Sequence, residues 1–209
     1  MGFFLTVEGG EGSGKSTLVD KIYQYLQKHD VRSVIKTYEP GATLVGAHIR
    51  SLLLHQGDVD ISKRAELLLF LADRAHHVDT VIKPALQQNK IVICDRFTDS
   101  SLAYQGVARV NDNLHLVEMV CNFAADNVTP DLTLYLDLDP EVGLKRLKRG
   151  KDRLENLGIE FHKKVRDGYL NIAKNNKERI FIIDAQFHSE VVFEQAISVL
   201  KNKLASCLL

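Results

Sequence analysis

The chain has 209 residues, 45% of them apolar, and its 27 basic side chains balance 27 acidic ones. This length and apolar share fit one domain, 1–209, around a single core, and exclude a fibrous or disordered chain. Zero net charge argues against a general attraction to nucleic acid or membrane, and no apolar run nears the ~18 residues of a membrane span.

The N-terminus shows no basic segment followed by an apolar run and a small-residue cleavage site, so a cytoplasmic location is expected. Cys94, Cys121 and Cys207 lack metal spacing and cannot all pair, which suits a reducing compartment. Phe3-Phe4-Leu5-Thr6-Val7 reads as a short buried strand, and a glycine-rich stretch follows it. A helix is predicted over 15–28, with Val19, Ile22, Tyr23 and Leu26 forming one apolar stripe. A strand at 33–37 precedes helices at 43–55 and 61–82, the second ended or kinked by Pro84. A strand at 91–94, a helix at 113–126 and a strand at 132–136 come next. Asp139 before Pro140 supplies an N-cap and a first-turn proline for a helix over 140–149. Arg149-Gly150 then breaks a basic segment, ahead of a helix at 153–174, a strand at 180–183 and a helix at 188–205.

The five strand runs are almost wholly apolar or β-branched, as strands buried on both faces should be. Helical patterns lie between them. The α/β pattern implies a five-stranded parallel sheet with helices on both faces.

Gly9-Gly10-Glu11-Gly12-Ser13-Gly14-Lys15-Ser16, followed by Thr17, matches G-x-x-x-x-G-K-[ST] between a strand and a helix. The glycines let the backbone turn its N–H groups inward on a phosphate chain, aided by the positive end of the helix. In that loop Lys15 meets the β- and γ-phosphates of ATP, and the Ser16 hydroxyl meets Mg2+. Asp95 ends the apolar run Ile91-Val92-Ile93-Cys94, where open α/β sheets bind ligands, and is the second candidate for Mg2+.

The loop alone does not separate a switch, a motor and a transferase. A guanine-reading Asn-Lys-x-Asp is missing, since Asn89-Lys90-Ile91-Val92 and Asn176-Lys177-Glu178-Arg179 both lack the final Asp. No Ser-Gly-Gly-Gln signature of transporter ATPases occurs either. Instead Arg50, Arg74, Arg96, Arg149 and Arg153 stand at or near the ends of predicted elements, suited to neutralising two nucleotides brought together. An acceptor phosphate with a second pKa of about 6 attacks without a general base. His76 and His77 accordingly read as structural.

Glu39-Pro40-Gly41, Leu69-Phe70-Leu71-Ala72-Asp73-Arg74, Asp95-Arg96-Phe97 and Ser101-Leu102-Ala103-Tyr104-Gln105-Gly106 join the phosphate loop in an order that resembles thymidylate kinases of the bacterial type. The resemblance runs from residue 5 to about residue 170. It implies a nucleotide kinase with a lid over about 146–156, which phosphorylates dTMP to dTDP with Mg-ATP for dTTP synthesis, as a homodimer. By the same resemblance Phe70 stacks on the thymine and Arg74 donates to its O4. Pattern alone would put Phe70 in the core. Arg96 and Arg50 hold the dTMP phosphate, Glu39 and Pro40 lie beside the acceptor, Ser101 approaches the base, and Tyr104 and Gln105 flank sugar and base. Glu11 takes the acidic place near the 3′-hydroxyl. Because no basic residue precedes Lys15 in the loop, the lid supplies arginine to the transferring phosphoryl, Arg153 first and Arg149 second. Tyr38 and Ala42 depart from the Arg and Gly of the family pattern. Another nucleoside monophosphate kinase of this fold, or a noncatalytic nucleotide-binding regulator, remains the alternative.

Overall fold

A computed structural model describes residues 2–29, 33–54, 60–109, 114–147 and 152–206. Five strands, β1 (Phe3–Gly9), β2 (Val34–Tyr38), β3 (Ile91–Asp95), β4 (Leu132–Asp137) and β5 (Ile180–Asp184), form a parallel sheet in the order β2-β3-β1-β4-β5. All neighbouring strands are parallel, so each strand before the last must be followed by a crossover, and helices fill both faces.

Side chains alternate across β1. Phe3, Leu5 and Val7 face α1 (Lys15–His29) and α9 (Ser189–Ser206), whose Leu18, Ile22, Ala196 and Leu200 close the largest core cluster. On the other face Phe4 packs with Val78, Ile82 and Phe97, its ring 5.0 Å from that of Phe97. Thr6 and Thr133 share a buried hydroxyl contact at 2.7 Å, and Glu8 continues this face toward the ligand end. The central strands are buried up to their last residues, but β2 and β5 are each only partly buried, with Lys36, Tyr38, Ile182 and Asp184 exposed. They are the sheet's edges, so the expectation of burial on both faces fails for these two.

Helices α2 (Leu44–Leu54) and α3 (Lys63–His77) pack together, and Ser62 caps α3. Pro84 does not end the helical path. A π-helical turn at Val78–Ile82 follows α3, and Pro84 falls in the first turn of α4 (Lys83–Gln87), where its missing N–H is tolerated. After β3 come α5 (Thr98–Ser101) and a second π-helical stretch, Leu102–Val107, in a region where no helix was predicted. Next are α6 (Leu114–Ala124), and α7 (Pro140–Arg146) capped by Asp139, whose carboxylate accepts the Glu141 N–H at 2.8 Å. Helix α8 begins only at Ile159 and runs to Asn175. Residues 153–156, predicted as helix, form turns. There Asp152 accepts from the N–H groups of Leu154 and Glu155 while Glu155 accepts from Asp152, a capping box that opens a helical turn, but the turn ends by Leu157 and Gly158 becomes the N-cap of a separate helix. Gly168 of α8 lies so close to the 102–107 stretch that an added Cβ would meet Val107 and Ala103 at 3.2 and 3.3 Å.

Candidate active site

The carboxyl ends of β1, β2 and β3 lie level, with Val7 and Tyr38 both in register with Asp95. The three segments that leave them line one cavity of about 620 Å3. Gly9 to Ser16 lies at one side of it. Gly12 and Gly14 hold φ of 67° and 92°, which glycine adopts without strain. Gly12 also lies against Gly143 of α7, where an added Cβ would come within 2.0 Å of the Gly143 carbonyl. This close backbone contact fixes the loop's outer wall.

Lys15 is buried, and its ammonium donates to the Gly10 carbonyl at 2.8 Å. Burial, and then Arg96, lower its pKa. The Ser16 hydroxyl donates to the Asp95 carboxylate at 2.6 Å. Thr17 is exposed beside it. Among the described residues no group of three or more His, Cys, Asp or Glu could hold a metal. The hydroxyl and carboxylate at this point are hard oxygen donors, and Mg2+ takes few protein ligands because phosphate and water complete its shell. The residues present therefore fit that ion.

Arg96 follows Asp95 with φ 70°, in the left-handed region that non-glycine residues avoid. Its Nη2 donates to Glu11 at 2.7 Å and its Nη1 to the Gly9 carbonyl at 3.0 Å, with the Tyr104 ring 5.1 Å from the guanidinium. The Tyr104 hydroxyl also donates to Glu11 at 2.7 Å. Burial would raise the Glu11 carboxyl, but Arg96 and Lys15 outweigh it and hold the group down at about 2. Glu11 thus joins the phosphate loop to the arginine end of the cavity.

The far end is built from α3. Phe70 and Arg74, one turn apart on one helix face, both line the cavity. Phe70 is half-buried. Arg74 is 2% exposed and donates to Glu39 at 2.9 Å, the Ser101 hydroxyl at 2.8 Å and the Phe97 carbonyl at 2.9 Å. Burial opposes its charge, yet the Glu39 carboxylate more than offsets this and raises its pKa. Glu39 also meets His77 Nδ1 at 2.9 Å, and His77 Nε2 meets Thr37 at 2.6 Å. His77 is structural, as read from the sequence, but it supports a residue that lines the cavity. Arg50 donates to the Pro40 carbonyl at 2.6 Å. The Tyr38 ring lies 5.8 Å from the Arg50 guanidinium, so it buttresses an arginine where the family pattern supplies one. Ala42 is not among the described residues with positive φ, whereas Gly41 has φ 114°, so this turn does not need a second glycine.

Gln105 is buried against Glu66, donating at 3.2 Å. Glu66 gathers two arginines as well, Arg109 at 3.2 Å and Arg153 at 2.6 Å. Arg153 donates further to the Leu53 carbonyl at 2.8 Å. In this conformation it ties residues 152–157 to α2 and α3 and does not line the cavity, which differs from its expected place at the transferring phosphoryl. Arg149 lies outside the described residues.

Sequence reasoning did not single out Glu66, Tyr169 or Gly143. Each lies inside a helix among ordinary residues, and only burial against the site distinguishes it. A second cavity of about 270 Å3 adjoins the loop at Ser13, Gly14 and Thr17, walled by Arg146, Phe187 and His188. The Arg146 guanidinium donates to the Ala185 carbonyl at 3.0 Å.

A thymidylate kinase family model matches residues 7–196. The chain is 42% identical to the thymidylate kinase of Protochlamydia amoebophila, over 97% of this chain and 93% of that protein. It is 46% identical to the thymidylate kinase of Finegoldia magna, over 96% of this chain and 98% of that one. The crystal structure of thymidylate kinase from Ehrlichia chaffeensis superposes with a TM-score of 0.76 at 36% identity, covering 95% of this chain and 98% of that chain.

Proposed function

Because the chain belongs to the thymidylate kinase family and phosphorylates dTMP with ATP, we propose that the 620 Å3 cavity seats the acceptor and the reacting end of the donor together. The observation that carries this reading is the joint lining of that cavity by Lys15 and Ser16 at one side and Phe70 and Arg74 at the other.

On this reading the loop N–H groups and Lys15 hold the donor triphosphate. The second cavity, between Arg146 and Phe187, takes its base. Lys15 leaves the Gly10 carbonyl for the β- and γ-phosphates, where its charge opposes the negative charge of the transition state. Ser16 and Asp95 would hold Mg2+, which would there neutralise phosphate charge. Arg96 and Arg50 receive the dTMP phosphate, Phe70 stacks on the thymine, and Arg74 meets O4. Tyr104 crowds the sugar, and Glu11 lies near its 3′-hydroxyl. The acceptor phosphate is its own nucleophile, so the site needs to align and neutralise but not to remove a proton. The chain acts as one kinase domain with a lid at about 146–156. Arg149 is then the lid arginine left for the transferring group, or Arg153 once released from Glu66.

A homodimer is supported by one apolar face. Leu68 of α3 and Leu116, Met119 and Phe123 of α6 are exposed, Phe123 by 86%, on helices that pack side by side. Phe123→Asp is expected to turn a dimer in sedimentation into a monomer; a wild-type monomer would sink the reading. The buried free thiols of Cys94 and Cys121 fit a cytoplasmic enzyme.

Purified protein with ATP and Mg2+, offered dTMP, dUMP, dCMP, AMP and GMP, tests the assignment. dTMP should have the highest kcat/KM, and dCMP, which presents a donor where thymine has O4, should fall by about tenfold or more. Preference for a purine would contradict the base site.

A further inference from the structure

The backbone of Arg96 is held in an unfavourable conformation, φ 70°, by contacts that converge on it from both sides. Its own N–H donates to the Val7 carbonyl at 3.0 Å, and the next N–H, of Phe97, donates to Glu8 Oε1 at 2.7 Å. Glu8 is fully buried and does not line the cavity. Its other oxygen, Oε2, accepts from the Ser100 hydroxyl at 2.6 Å and the Tyr169 hydroxyl at 2.8 Å. Those two oxygens in turn lie 3.3 and 3.4 Å from Arg96 Nη1, which donates to them.

The polarity of this chain matters. An ionised carboxylate only accepts, so it draws both hydroxyl hydrogens to itself and leaves the oxygen lone pairs facing the guanidinium. One buried group thereby holds the peptide after Arg96 and sets the acceptors that orient its side chain. Tyr169 is kept in place by stacking on Tyr135, ring centroids 4.9 Å apart, and by the close approach at Gly168. Nothing in this arrangement is needed merely to fill the core, since a buried Gln or Met would fill it as well.

We propose that Glu8 is a positioning residue for acceptor binding, fixing the backbone and the guanidinium of Arg96 through Phe97, Ser100 and Tyr169. This rests on the reading that Arg96 holds the dTMP phosphate.

Glu8→Gln tests it, because the amide keeps the size but turns one acceptor oxygen into a donor, which must then face either the Phe97 N–H or the two hydroxyls. Burial and Asp99 push the Glu8 carboxyl up to about 7, so the assay belongs near pH 8.5, where the wild-type group is ionised. Steady-state kinetics would compare wild type, E8Q, Y169F, R96A and the doubles E8Q/R96A and Y169F/R96A, with dTMP and ATP varied separately. E8Q is expected to raise the KM for dTMP about tenfold, as loss of one good charged hydrogen bond would, and to change the KM for ATP less than about twofold. Y169F, which keeps the ring stack, should raise the KM for dTMP by about threefold. In the R96A background both effects should nearly vanish, because the residue they position is gone. An unchanged KM for dTMP in both E8Q and Y169F, beside a raised one in R96A, would overturn the inference, and so would effects undiminished by R96A. Were E8Q not to fold, Y169F alone and in the double would decide by the same criteria. If R96A itself left the KM for dTMP unchanged, the assignment of Arg96 would fail first and the inference with it.

Discussion

Arg74 is more deeply committed than a substrate-reading arginine has to be. Three of its five N–H groups go to Glu39, Ser101 and the Phe97 carbonyl, which leaves at most two for a base. Its removal therefore has two consequences. Glu39 would remain buried without its guanidinium, at a cost of about 3–5 kcal/mol, and thymine O4 would lose its donor. Arg74→Ala should lower unfolding stability by that order and also narrow the dTMP to dCMP ratio of kcat/KM by about tenfold. The ratio is independent of the folded fraction, so an unchanged ratio would remove Arg74 from base reading whatever happened to stability. Asp73 adds a pH dependence. Burial, reinforced by Glu39, raises its carboxyl from 3.8 to about 6 in the folded chain. Its contribution to stability is then full below about pH 4 and is lost as pH rises through 6, by on the order of 3 kcal/mol. Asp73→Asn should flatten that part of the urea-denaturation profile between pH 4 and 6.5 or so; an identical slope in both proteins would mean the shift is absent.

At the scale of elements, α7 and the phosphate loop meet without side chains between them. Replacing Gly with Ala inside a helix ordinarily stabilises by up to about 1 kcal/mol. In Gly143→Ala the new Cβ would fall 2.2 Å from the Glu11 carbonyl, so the opposite sign is expected, about 1–3 kcal/mol of destabilisation, with a raised KM for ATP. Denaturation and kinetics of the one variant check both, and a stabilised variant with unchanged KM would show that the loop yields freely. This contact was invisible in the sequence, where Gly143 looks like any glycine in a helix. Strands, by contrast, were legible because runs of four or five mostly apolar or β-branched residues bounded by turns leave few alternatives. The helix boundaries that failed did so for local reasons. A π-helical turn precedes Pro84, which falls in the first turn of the next helix, and the turn that Asp152 and Glu155 cap stops before Gly158, where α8 is started afresh. That turn aims Arg153 at Glu66, a partner 87 residues away that no local pattern announces. The motif residues Lys15, Phe70, Arg74 and Arg96 were legible because the resemblance carried them. Glu66 and Tyr169, which hold other residues in place, were not, since a buried hydrogen-bond network leaves no periodic trace, and Glu8 stood at the head of the phosphate-loop motif with nothing in the sequence to show its role.

Across the whole molecule the parallel sheet gathers what the chain separates. Residues near positions 10, 39, 74, 96 and 104 meet because the strands before them end level at one edge of the sheet. The central claim is that phosphate loop and acceptor pocket form one reaction chamber, and Lys15→Ala addresses it most directly because Lys15 touches neither base nor sugar on this reading. The decisive measurement is the rate of dTDP formation from saturating ATP and dTMP, alongside equilibrium binding of dTMP, for wild type and Lys15→Ala. The wild type should form ADP and dTDP in equal amounts, and the variant should lose turnover by about a thousandfold while binding dTMP within about threefold of wild type. Turnover near the wild-type rate in Lys15→Ala, or ADP released without matching dTDP in the wild type, would contradict it.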